Sequence, residues 1–146
     1  MREEELYGVV KDFLLEEKRC ERVLVNKVSF REIKRWVMDV VGVKEHRVYC
    51  VEVKKDFVFN SVFAAIKQSE FMCSACTNVY VAFPKEEYSS SDKELRKYLH
   101  NICSSMGVGI LLIDGKNVTE LLCPSVEKVR KVKSSLDDEL DKLLGG

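Results

Sequence analysis

Two acids and a lysine stand where a strand pattern has no use for charge. Asp39 interrupts the apolar run Trp36-Val-Met-Asp-Val-Val-Gly-Val43. Glu52 and Lys54 interrupt Val48-Tyr-Cys-Val-Glu-Val-Lys54. The polar stretch Lys44 to Arg47 separates the runs, and a turn centred between Glu45 and His46 sets Asp39 opposite Glu52. Opposed residues of an antiparallel pair share a face, with Cβ atoms about 4.5–5.5 Å apart. Two carboxylates that close repel, more so where water is excluded. A divalent cation compensates best: Mg²⁺ takes one or two carboxylates and keeps sites for water and phosphate oxygens. Lys54, two positions past Glu52, shares its face and can reach an anion beside the cation. That is the equipment for metal-assisted phosphodiester cleavage, with the lysine holding the water or steadying developing charge. The plainer reading is a solvated strand face in which Lys54 neutralises one acid and water the other. Acid-x-Lys is a short motif that arises by chance in many strands.

The elements that must position these residues are legible from periodicity. Residues 3–18 carry Leu6, Val9, Val10, Phe13 and Leu14 on one face and predict an amphipathic helix. Arg22 to Asn26 predicts a short strand; Lys27 to Lys34 is ambiguous; Arg35 to Val43 and Val48 to Lys55 predict two more strands. Asn60 is placed to cap a helix running to about Cys76. Asn78 to Phe83 predicts a buried strand that Pro84 ends. Ser91-Asp-Lys-Glu94 has the form of a capping box before a stripe of Leu95, Leu99, Ile102 and Met106, with Gly107 as the stop. Val108 to Ile113 predicts a short apolar strand, Asp114-Gly115 a turn and Val118 to Leu122 an edge strand. Val126, Val129, Leu136, Leu140 and Leu143 space a last helix. The early strands form a meander and the later ones alternate with helices, which implies parallel pairing. The expectation is one α/β domain over residues 1–146, a mixed sheet with helices on both faces.

Composition narrows the setting. Twenty-four Lys+Arg balance 24 Asp+Glu, so the net charge is zero, whereas proteins that hold nucleic acid mainly by charge are usually basic. Any such role must use local patches. One is Lys27, Arg31, Lys34 and Arg35; another is Lys128, Arg130, Lys131 and Lys133. Solvated basic faces are the plainer reading of both. No apolar run approaches a membrane span, and the charged start Met1-Arg2-Glu3-Glu4-Glu5 has no secretory pattern, so a cytoplasmic setting is expected.

The six cysteines do not form a zinc pattern. Cys73-Ser-Ala-Cys76 is one pair without a second, and His46 and His100 are isolated. The pair closes a helix rather than opening one, which disfavours thioredoxin-type chemistry. Cys50, Cys103 and Cys123 sit in apolar contexts and read as small core residues. Tyr49, Tyr80, Phe83 and Trp36 read as core aromatics, and His100 as a surface residue.

The charged-strand pattern resembles the core of the PD-(D/E)XK, or restriction-endonuclease-like, nuclease superfamily, in its resolvase-like or RecB-like branches. The similarity extends to the helix with Gln68 in Ile66-Lys-Gln-Ser-Glu-Phe71, the strand Val79-Tyr-Val-Ala-Phe-Pro84 and the strand Val108-Gly-Ile-Leu-Leu-Ile113. It covers residues 3–113, in the order αβββαβ, with an extra C-terminal strand and helix. The resemblance implies that Asp39 and Glu52 are metal ligands, that Lys54 is the catalytic lysine and that Gln68 is an auxiliary active-site glutamine. Many members add a first-helix glutamate; Glu5, one residue before the apolar stripe, is the choice here. Met38 stands where the motif name has Pro, and the Gly often near the first-helix Glu is absent.

The expected activity is that of an endonuclease using Mg²⁺, with Mn²⁺ as substitute. Asp39, Glu52 and the Val53 carbonyl bind the metal, and Lys54 assists the attacking water. The basic patches, Lys27, Arg31, Lys34 and Arg35 first, hold the nucleic-acid backbone, and DNA rather than RNA is the expected partner. By analogy, a homodimer would cut both strands. Two alternatives stand beside it: the same fold as a non-cleaving module for DNA or protein, and an unrelated α/β domain with a salt-bridged face.

Overall fold

The computed structural model describes residues 2–29 and 37–125. Helix α1 (Glu3–Glu16) opens on three acids, which suit the positive end of a helix. It buries Leu6, Tyr7, Val10, Phe13 and Leu14. Strands β1 (Arg22–Ser29), β2 (Val37–Lys44) and β3 (Arg47–Val53) form the meander. Strand β1 runs past Asn26 to Ser29, into the stretch that the sequence leaves ambiguous. Its register shifts between Val25 and Val28, and Asn26 takes a positive φ of 53° there. An asparagine tolerates that conformation at a bulge. The turn between β2 and β3 is two residues, Glu45 and His46.

Helix α2 (Phe59–Cys73) crosses to β4 (Asn78–Pro84); α3 (Lys85–Ser89) and α4 (Lys93–Met106) cross to β5 (Gly109–Asp114); β6 (Asn117–Leu122) closes the row. The six-stranded sheet runs in chain order. Neighbours β3, β4 and β5 are parallel and the other pairings antiparallel. The mixed α/β sheet flanked by helices is thus as the sequence implies.

Local signals were corrected in several places. Asn60 lies inside α2, whose N-cap is Val58 without a side-chain bond. Asp92, not Ser91, caps α4: its carboxylate accepts the Glu94 N–H at 2.9 Å. The Ser91 hydroxyl instead bonds the Tyr88 carbonyl of α3, a short helix too brief to announce itself by period. Gly107 does stop α4, at φ 77°. Cys123 is exposed rather than core, whereas Cys50 joins Cys76 in a disulfide across 26 residues. Tyr49, Tyr80 and Phe83 are buried as expected. Trp36, the basic cluster of Lys128 to Lys133 and the last expected helix lie outside the described residues.

Two apolar layers cover the sheet. Cys50, Val79, Val81, Ile110 and Leu112 pack with α2 and α4. Tyr49, Val51, Val53, Tyr80, Ala82, Leu111 and Ile113 pack with α1. The alternation is the two-residue period of strand side chains. On the α1 side, Gly42 makes room: a Cβ there would meet Cys20 Sγ at 2.8 Å. A polar cluster ties the far edge down. Lys18 at the end of α1 donates to Glu120 of β6 at 2.8 Å, and the Tyr80 hydroxyl donates to the other Glu120 oxygen at 2.6 Å. Burial alone would raise the Glu120 pKa, but the Lys18 and Tyr80 bonds, with the Lys18 charge and the Cys123 thiol, more than offset it and hold the group below its ordinary value.

Candidate active site

The parallel strands β3, β4 and β5 end together, and β2 starts beside the end of β3 because it runs antiparallel to it. Open α/β sheets tend to bind ligands at this edge. The β2–β3 ladder runs from Lys44 opposite Arg47 to Val40 opposite Val51 and ends there, so Asp39 and Glu52 are the residues that directly follow its last pair. The two acids and Lys54 therefore come together here. Strand β3 stops at Val53, one residue before Lys54, whose N–H goes to the Ala82 carbonyl of β4 at 3.0 Å. That bond anchors the lysine backbone while its side chain remains 19% exposed.

Glu52 is the anomaly. It is only 3% exposed. Its Oε2 lies 3.4 Å from Lys54 Nζ. Its Oε1 is buried with no hydrogen-bond partner. Removing a carboxylate from water is costly unless its oxygens are met. Burial, and next the Asp39 carboxylate, push the Glu52 pKa up to about 8, against the pull of Lys54. Asp39 is raised too, chiefly by burial; the Val53 N–H and the Lys54 charge oppose that rise. The Val53 N–H donates to Asp39 Oδ2 at 2.8 Å, so the backbone at Val53 abuts the pair.

Helix α1 adds residues that sequence reasoning missed. Tyr7 Oη lies 3.3 Å from Asp39 Oδ1 and 3.2 Å from Glu3 Oε1. A phenol has one proton, so two carboxylates compete for it. Burial, then the Asp39 and Glu3 charges, raise the Tyr7 pKa and keep that proton in place. The first-helix acid at this site is thus Glu3, and Glu5 is corrected: Glu5 is exposed and pairs with Arg2 at 3.8 Å. The reason is the helical period. Glu3 is four residues before Tyr7, on the same face, whereas Glu5 is rotated away. The available signal was Glu-x-x-x-Tyr beside the apolar stripe.

Gln68 sits on α2, on the side of the sheet that Glu52 faces by its alternation with Val51 and Val53. Its Oε1 is buried without a partner. Lys27 is exposed on β1, and Arg31, Lys34 and Arg35 lie outside the described residues. The Cys73–Cys76 pair is divided: Cys76 is bonded to Cys50, and burial, then Glu70, push the Cys73 thiol up to about 11.

Among the described residues, no three His, Cys, Asp or Glu side chains gather into a metal-holding group. What is present is a pair of oxygen donors with one unmet oxygen. That fits a hard cation such as Mg²⁺, which keeps several waters. A zinc site would call for thiols or imidazoles.

Comparison with known proteins gives the fold and little else. No family model matches the chain. No curated protein matches it either. A protein of unknown function from Silicibacter pomeroyi superposes with a TM-score of 0.64 at 12% identity, over 97% of this chain and 83% of that one. At that identity the likeness speaks for architecture alone. No helix among the described residues is long and apolar enough to cross a membrane.

Proposed function

We propose that this chain is a metal-dependent phosphodiester hydrolase acting on DNA. One observation carries the reading: Glu52 is buried with the Asp39 carboxylate within hydrogen-bonding reach, one of its oxygens on Lys54 and Oε1 without a donor. A purely structural carboxylate is normally satisfied on both oxygens. Asp39 and Glu52 would hold the cation, with Glu3 next to them through Tyr7. A bound Mg²⁺ would supply Lewis-acid polarisation of the phosphate. Lys54 orients the attacking water and donates to the developing negative charge. The attacking water gives up a proton to solvent as its oxygen bonds to phosphorus, the P–O bond to the leaving nucleoside breaks, and that oxygen takes up a proton from solvent. Val53 fixes Asp39 through its N–H, so the pair is positioned by backbone rather than by a mobile loop.

The test is hydrolysis of plasmid and oligonucleotide DNA with Mg²⁺ or Mn²⁺ by wild type, Asp39→Ala and Lys54→Ala. Loss of one catalytic group should slow cutting by about 100-fold or more. Equal cutting by all three proteins removes the assignment.

A second reading, a non-cleaving DNA- or protein-binding module, is favoured by the zero net charge and by the lack of a third gathered ligand among the described residues. It expects binding without hydrolysis under any divalent ion, and no heat of Mn²⁺ binding.

A further inference from the structure

The side of the sheet away from α1 is covered only in part. Helices α2 and α4 each return from the end of one parallel strand to the start of the next, so they run the same way there. Phe59 and Phe63 of α2 and Tyr98 of α4 are exposed, Phe59 by 62%. The two phenylalanine rings stack at 6.1 Å between centroids and form one apolar ledge. Along α4, Leu95, Tyr98, Ile102 and Met106 recur at three- and four-residue steps, which puts them on one stripe. Leu95, Ile102 and Met106 are only partly buried. Where the ledge meets the stripe lies a mostly apolar groove of about 410 Å³, lined by Phe59, Leu95 and Tyr98 with Asp92 and Glu94. Apolar surface gathered in this way marks an interaction site.

The chain itself carries a segment that fits. The Ser125 N–H donates to the carbonyl of Gly107, the C-cap of α4, at 3.0 Å. Residues 126–146 therefore start from the C-terminal end of α4. In that segment Val129, Val132, Leu136, Leu140 and Leu143 recur at three- and four-residue steps, the mark of an amphipathic helix. Ser125 is a residue type suited to cap its start. At 1.5 Å per residue such a helix reaches about 30 Å, whereas α4 spans about 21 Å. Tyr98 lies nine residues before Gly107, and Leu136 eleven after Ser125. A helix running back along α4 thus brings Leu136 and Leu140 level with Tyr98 and Leu95.

The order of charges agrees with that direction. Neither α2 nor α4 has a basic residue in its last turn, so the negative ends of both helix dipoles lack a cation, and Glu70 adds a full charge nearby. Lys128, Arg130, Lys131 and Lys133 of the segment come over this end. Farther along, Lys67, Lys93, Arg96 and Lys97 outnumber Asp92 and Glu94, and there the segment is acidic, with Asp137, Asp138, Glu139 and Asp141.

We propose that residues 126–146 form an amphipathic helix that docks antiparallel to α4 and seats Leu136 and Leu140 in the groove between α2 and α4. It covers Phe59, Phe63 and Tyr98 and shields this side of the sheet as α1 shields the other. The docking holds whether or not the chain cleaves DNA.

The experiment is hydrogen exchange, read by mass spectrometry, on the full chain and on Phe63→Asp with Tyr98→Asp, with sedimentation to fix the oligomeric state. Both replaced side chains are exposed, so the variant keeps the core. In monomeric wild type, amides of residues 128–143 should exchange at least about ten-fold more slowly than in an unstructured chain. The variant should lose that protection while α1 and β3 keep theirs. A segment unprotected in wild type overturns the inference, as does protection that survives in the variant. Protection found only in a dimer and lost on dilution also overturns it, since the segment of a second copy then fills the groove. Should the variant unfold, Leu136→Asp with Leu140→Asp decides: hydroxyl-radical labelling of Phe59 and Tyr98 should rise severalfold over wild type, and equal labelling overturns the docking.

Discussion

Two carboxylates on the same sheet meet opposite fates. Glu120, on the edge strand β6, has each oxygen engaged, one by Lys18 and one by Tyr80. Glu52, on the central strand β3, has one oxygen at Lys54 and the other idle, with a second acid beside it. The first is held below its ordinary pKa and the second is pushed up to about 8. Glu52 is 3% exposed and Glu120 20%, so burial separates them in part. The number of donors separates them further. Glu120 is arranged to stabilise the fold, tying α1, β4 and β6 together. Glu52 is left short of donors at the edge where the parallel strands end, and perturbed groups of that kind cluster at functional sites.

Substitution at each acid should break the symmetry most visibly. Glu52→Gln is expected to lower metal-dependent cutting by about 100-fold or more. The same change removes a charge repulsion, so its thermal midpoint at pH 8 should not fall. Glu120→Gln should do the reverse: cutting is kept while stability drops by about 1–3 kcal/mol, since Lys18 loses its partner. Denaturant titration with activity assays on both variants decides this. If Glu52→Gln unfolds the protein while Glu120→Gln is silent, the contrast is misdrawn.

Divalent cations sharpen the same contrast. Mn²⁺ at about 100 times its Kd should stabilise wild type by about 2.7 kcal/mol. Glu52→Gln should show much less of that gain, and Glu120→Gln all of it. Differential scanning calorimetry with and without the ion reads the effect directly.

The pH dependences run in opposite senses. A carboxyl raised in the folded state binds its proton more tightly there than in the unfolded chain. Its contribution is therefore full below the unfolded pKa of about 4.5 and is lost as pH rises toward 8. Glu120 is depressed, so its contribution is full above the ordinary carboxylate pKa and is lost as pH falls through its folded value. Each group adds a slope of at most about 1.4 kcal/mol per pH unit. Stability curves of wild type minus Glu52→Gln, and of wild type minus Glu120→Gln, should slope in opposite directions between pH 3 and pH 8 (about the range over which these carboxyls titrate). Curves of the same sign would refute the pairing.

The smallest effect is expected at Tyr7. Tyr7→Phe removes the hydroxyl between Glu3 and Asp39 and keeps the ring in the α1 core. Stability should change by about 1 kcal/mol. Mn²⁺ affinity, read by calorimetry, should shift severalfold because Glu3 is no longer tied to Asp39. Unaltered affinity would mark the Tyr7 contact as packing alone.

The approach of Asp39 to Glu52 was legible because a strand has a two-residue period and the Glu45-His46 turn sets the register that brings Val40 opposite Val51. The α1 and α4 stripes and the Gly107 stop were legible for a similar reason: periodicity and φ preference act over a few residues. The choice of Glu3 over Glu5 was not, since it depends on which face of α1 the sheet covers, and Tyr7 had to be seen buried to settle it. Asp92 displaced Ser91 as the cap because Ser91 found the Tyr88 carbonyl of a helix that no period announces.

The sequence alone thus determined the order of the strands and the longer described helices, the mixed sheet and the nearness of two acids to a lysine, all of which follow from local backbone geometry. Tertiary structure alone decided which residues close the site and which satisfy one another. Glu3 and Asp39 stand 36 residues apart, Lys18 and Glu120 stand 102 apart, and Cys50 and Cys76 stand 26 apart. Contacts over such separations are set by how whole faces pack against the sheet, and no short stretch of chain encodes that. The idle oxygen of Glu52 is the sharpest case: an unmet hydrogen bond is a property of everything around an atom, and it exists only once the chain has folded.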